Sequence, residues 1–159
     1  MLDARRRWAA TFIMLTAIFT VGCGILDLPA AKPSISTDFR HVVLSETAVF
    51  GRNIHAVTYQ TVTIDAQTGV FRVERRDAEP VEGVLSTGEI AALRGLLALV
   101  GFVDLKKDYT RVDDNCCTMI HYTIAVDHGG RVSSVTAGDE GMPAGFRLLL
   151  RYIQAVTLS

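Results

Sequence analysis

The chain alternates between two hydrophobic periods, and each switch marks an element. Phe39 to Phe50 is rich in Val, Thr and Phe, the composition of a half-buried strand. Ala56 to Asp65 ("AVTYQTVTID") repeats it. The following "AQTG" predicts a tight turn, with Gly69 free to take positive φ. Val70 to Arg76 returns as the second hairpin arm, with Phe71 and Val73 on one face and Arg72 and Glu74 on the other. The period then lengthens in "LSTGEIAALRGLLALVGF", where Ile90, Leu93, Leu97 and Val100 recur at helical spacing. Ser86 and Glu89 have the spacing of a capping box. Gly101 is placed to end this helix, with Phe102 folding back onto its last turn.

Asp104 to Asn115 is polar and irregular. Thr118 to Val126 alternates again, with Thr118, Ile120, Tyr122, Ile124 and Val126 on the core-facing parity. "DHGG" predicts a hairpin turn, and Arg131 to Ala137 pairs back. Val132 and Val135 fall on opposite parities, so a bulge near Ser133-Ser134 is expected. Pro143 suits the first turn of a closing helix carrying Phe146, Leu149, Leu150 and Ile153. The order βββ-α-ββ-α predicts an α+β fold: an antiparallel β-sheet with two helices packed on one face.

The amino-terminal segment obeys neither period. Arg5-Arg6-Arg7 is followed by 15 uncharged residues, Trp8 to Gly22. That is short of the roughly 20 residues that cross a bilayer but suits the apolar region of an export signal. The run closes with Thr20-Val21-Gly22-Cys23. This resembles the lipobox of bacterial lipoproteins, with Thr20 where leucine is commonest. The resemblance implies diacylglyceryl attachment at Cys23 and cleavage between Gly22 and Cys23. The alternative is a plain membrane anchor in which Cys23 is incidental. Residue 24 is glycine; an aspartate there would resemble an inner-membrane retention signal. The expected organisation is a lipoprotein signal peptide at 1–22, a lipidated amino terminus and flexible tether at 23–38, and one globular domain at 39–159. The expected location is the outer membrane of a diderm cell envelope, or the outer face of the plasma membrane in a monoderm.

Composition supports a packed domain: 49% of the 159 residues are hydrophobic and 21% charged, a globular rather than disordered balance. Loss of residues 1–22 removes three arginines and one aspartate, leaving 13 basic and 16 acidic side chains, a net charge of −3. That balance carries no electrostatic footprint for nucleic acid.

Candidate chemistry is sparse. With Cys23 occupied by lipid, Cys116 and Cys117 either pair with each other or stay as two thiols. A vicinal disulfide needs a turn, because adjacent Cα atoms lie 3.80 Å apart, short of the usual range of about 4.4–6.8 Å. As separate thiols, Cys116 continues the buried parity and Cys117 the open one. Cys117 and His121 are too far apart along a strand, about 13 Å, to share a metal. His41, His55 and His128 lack ligand spacing. Asp104, Asp108, Asp113 and Asp114 decorate one loop without the alternating oxygen pattern of an EF-hand, and Lys106, Lys107 and Arg111 offset their charge. Ser133, Ser134, His128 and Asp127 cluster at one hairpin, but the sequence has no G-x-S-x-G, P-loop or G-x-G-x-x-G. No catalytic residue, metal ligand or cofactor is assigned.

The body of the chain is similar to small bacterial lipoprotein domains and to emfourin, a protein inhibitor of thermolysin-like metalloproteases. The matching stretches are "TYQTVTIDAQTGVFRV", "LSTGEIAALRGLLALVGFVDL" and "YTIAVDHGGRVSSVTAGD", followed by a Pro-led helix. The likeness lies in hydrophobic pattern and turns over roughly 100 residues. Two functions are expected, the first from the lipobox and the absence of a catalytic constellation, the second from this likeness. One is a membrane-anchored, non-enzymatic binding module that meets lipid through Cys23 and a protein partner elsewhere. The other is a regulator of a secreted metalloprotease, for which "TGVF", Thr68 to Phe71, is the nearest match and no inhibitory residue carries over.

Overall fold

The computed structural model describes residues 39–50, 55–110 and 119–158. Gly22, Cys23, Cys116 and Cys117 lie outside the described residues, as do the tether and Asp113 to Asn115. Strands β1 (Phe39–Phe50), β2 (His55–Asp65), β3 (Val70–Arg75) and β4 (Ala78–Val84) lead into helix α1 (Thr87–Leu99). A 3-10 turn (Phe102–Asp104) and the two-residue strand β5 (Asp108–Tyr109) follow. The chain continues through β6 (Met119–His128), β7 (Arg131–Gly138) and helix α2 (Ala144–Thr157). One seven-stranded sheet runs β4-β3-β2-β1-β6-β7-β5. It is antiparallel except where β5 meets β7 in parallel.

The α+β class and the two helices stand, but the order βββ-α-ββ-α does not. The unexpected fourth strand reads AEPVEGV. Its proline and glutamates disguise it, yet an edge strand tolerates both, because proline lacks only a ladder donor and acids block stray pairing. Its register slips opposite Val73 and Arg75. The other missed strand, β5, is too short to show a period; the Thr136 amide donates to the Lys107 carbonyl beside it.

The turns follow from local chemistry. Asp65 Oδ1 accepts from the amides of Gln67 at 2.8 Å and Thr68 at 3.3 Å. Gly69 closes the turn with φ 80°, and a Cβ there would meet the Leu85 carbonyl oxygen at 2.7 Å. The β6–β7 turn places Gly129 and Gly130 both at positive φ, as a two-residue hairpin loop requires. The expected bulge at Ser133-Ser134 is absent: the β6–β7 register runs unbroken from His128 opposite Arg131 to His121 opposite Gly138. Val132 needs no compensation, because it lies on the open face at 71% exposure while Val135 is buried.

The core is the inner face of this sheet closed by the helices. Val42 and Leu44 of β1, Val62 and Ile64 of β2 and Ile124 and Val126 of β6 share it with Leu93, Leu97, Phe146, Leu149 and Ile153. Each fully buried large side chain contributes about 1.5–3 kcal/mol. Helix α1 carries the complete Ser86–Glu89 capping box, and Gly101 follows in the left-handed region with Phe102 buried behind it. Pro143 is the N-cap of α2 rather than its first helical residue; its carbonyl accepts from the Arg147 amide. The helices pack side by side in opposite directions. Tyr152 Oη donates to the Glu89 carbonyl at 2.8 Å, and Gly145 admits Val100 so closely that a Cβ would meet it at 3.1 Å. Among the described residues no helix is long and apolar enough to cross a membrane.

Candidate functional site

The inner face changes character along β1. Val42 and Leu44 are apolar, and the next inward position is Glu46, only 6% exposed. Cross-strand pairing places Gln60 on one side of it and Tyr122 on the other. Between Glu46 and Thr47 the β1–β2 register shifts, which leaves Tyr59 as the extra residue of β2. Such a bulge re-aims a side chain that regular pairing would turn away. From the helix layer, Gln154 Nε2 donates to Glu46 Oε1 at 2.7 Å. Arg75 Nε reaches Gln60 Oε1 at 3.2 Å from β3.

These groups are coupled. Burial pushes the Tyr59 hydroxyl well above the usual phenol range, and the charge and hydrogen bond of Glu46 push it further, with smaller contributions from Tyr122 and Asp139. Tyr122 is raised by burial, then by Asp139 and Glu46. Tyr59 is therefore a hydrogen-bond donor across the physiological range. A carboxylate offers about four acceptor positions, and the described partners of Glu46, an amide and a phenol, are neutral. The result is a buried polar cluster on the inner face of the sheet. The parity of the strands could have revealed it, since Glu46 and Gln60 occupy inward positions of β1 and β2.

The hairpin group does not form one site. His128 Nε2 and Ser133 Oγ are 2.8 Å apart. Asp127 is the adjacent strand residue, so its side chain points to the opposite face. A hydrolytic triad needs the carboxylate to orient the histidine, and Asp127 is turned away from it. Asp127 instead neighbours His41, which has Asp65 on its other side. His121 lies half-buried on the outer face next to Gly138. Asp108 is committed to its own turn, accepting from the Thr110 amide and hydroxyl, and these bonds hold its carboxyl below the usual range. Among the described residues no three His, Cys, Asp or Glu side chains are placed to hold a metal ion. A small open cavity of about 270 Å³ lies between Lys106, Asp108, Tyr109 and Thr110 on one side and Glu140, Gly141 and Met142 on the other.

The outer face of the sheet is a different surface. Thr61, Ser45, Thr123 and Thr136 stand in one row across four neighbouring strands. The Thr123 and Thr136 hydroxyls are 3.0 Å apart, as are those of Thr47 and Thr58 in the next row. Towards β4, Arg72 bridges Glu74 at 2.7 Å and Glu82 at 2.8 Å. No protein family matches the chain, and no characterised protein matches it in sequence.

Proposed function

We propose that the chain is an exported lipoprotein of the bacterial cell envelope, held to the membrane by an acyl group on Cys23, whose folded domain is a non-catalytic binding module. The observation that carries this reading is the order of Arg5-Arg6-Arg7, the uncharged run Trp8 to Gly22, and Gly22-Cys23. Fifteen residues separate Cys23 from Phe39, where strand β1 starts. Two buried acyl chains suffice for stable anchoring. The disposition of polar groups supports binding over catalysis. Glu46 is tied to Gln154, and His128 and Asp127 face opposite ways.

Metabolic labelling tests the anchor. Labelled palmitate should enter the wild-type chain and be absent from Cys23→Ala. Equal labelling of both, or of neither, would remove the lipoprotein reading.

A further inference from the structure

The two helices turn unusual surfaces to solvent. Beyond Thr87 in its first turn, the exposed residues of α1 are Gly88, Ala91, Ala92, Gly95, Ala98 and Leu99, with Leu99 at 73%. A helix face this poor in polar side chains is ordinarily covered. Beside it, the solvent side of α2 carries Leu148 at 48% exposure together with Arg147 and Arg151. These arginines are the exposed charges of the two helices; Glu89, the one acid, is half-buried and held by Ser86. Leu99 and Leu148 both lie towards the end of the layer where Val100 packs on Gly145. The helix layer thus shows apolar surface with positive charge, in a chain whose folded part is net acidic.

We infer that this helix surface, centred on Leu99, Leu148, Arg147 and Arg151, rests on the anionic headgroups of the membrane to which the domain is tethered. The inference builds on the lipoprotein reading. Charge complementarity selects the occupant: exposed leucines enter the headgroup boundary while arginines meet lipid phosphates. The tether makes the contact reachable, since 15 residues extend to at most about 50 Å. Because the acyl chains already supply affinity, the contact sets orientation. It turns the hydroxyl-rich face of the sheet away from the bilayer.

The test uses the acylated, processed protein reconstituted in vesicles of phosphatidylglycerol or phosphatidylcholine containing brominated lipid. Trp8 is the only tryptophan and would leave with the signal peptide, so an introduced tryptophan reports alone. The Leu148→Trp variant should be quenched in phosphatidylglycerol, and Val132→Trp, on the outer sheet face, should not. Adding Arg147→Gln and Arg151→Gln should cut the contacting population about fivefold for each arginine removed. A Leu148→Trp protein that floats with the vesicles but stays unquenched overturns the orientation and spares the anchor. Quenching of the Val132→Trp variant overturns it too. So does a Leu148→Trp signal that is independent of lipid charge and grows with protein density, the mark of a second copy. A processed protein that does not float with vesicles removes the anchor itself.

Discussion

The two faces of one sheet obey different rules. On the inner face, Val42, Leu44, Val62, Ile64, Ile124 and Val126 meet the helices and exclude water. One residue along each strand, Val43, Ser45, Thr61, Thr63 and Thr123 point outward, where hydroxyl rows replace a core. Strand alternation alone produces this contrast. The inner face is specified by volume, so its composition is constrained. The outer face is specified by β-propensity and cross-strand hydrogen bonds, so its chemistry is free to serve recognition. Glu46 breaks the rule: a charged group on the inward parity, retained among polar partners where the helix layer supplies Gln154 instead of an apolar side chain.

Neighbouring residues of β1 give the largest contrast. Leu44→Ala should cost about 2–5 kcal/mol, and Val43→Ala well under half of that, by urea denaturation. Equal costs would mean that the outer face is packed against something. Glu46→Ala should cost about 1–3 kcal/mol, because it leaves the half-buried donors of Gln154 and Tyr59 without their acceptor. Replacing both Glu46 and Gln154 by leucine should recover most of that loss. If the double variant is as unstable as the single one, the polar cluster is integral to the fold.

A smaller effect concerns pH. Tyr59, Tyr122 and Tyr152 are all raised in the folded protein, foremost by burial. Unfolded tyrosines ionise near pH 10. The stability these groups contribute is therefore fully present below about pH 10 and is lost as pH rises above it. Phenolate absorbance should show late-ionising tyrosines, and Tyr59→Phe should remove the latest. The smallest effect is Thr123→Val on the outer face, expected within about 0.5 kcal/mol of wild type; a larger loss would show that the hydroxyl row stabilises the sheet.

Much of this arrangement is legible in the sequence. Helix α1 announces itself through Ile90, Leu93 and Leu97 and its capping box, and α2 through Phe146, Leu149, Leu150 and Ile153. Strand β4 is not legible because its edge position admits Pro80, Glu79 and Glu82, the residues that argue against a strand. Val132 misleads in the opposite direction: a β-branched residue at a hairpin tip satisfies β-propensity without burial. The Glu46 cluster is half legible. Inward parity marks Glu46 and Gln60, but their meeting with Gln154 depends on helix docking across more than 100 residues of chain, which no local pattern encodes.

The proposed orientation of the outer face depends on the domain being held at a membrane by its amino terminus. Mass spectrometry of the amino-terminal peptide from membrane-extracted protein tests that directly. Lipid anchoring predicts a peptide that begins at Cys23 and carries the added mass of a diacylglyceryl group. A peptide that begins elsewhere, or an unmodified Cys23 thiol in the membrane fraction, would contradict it.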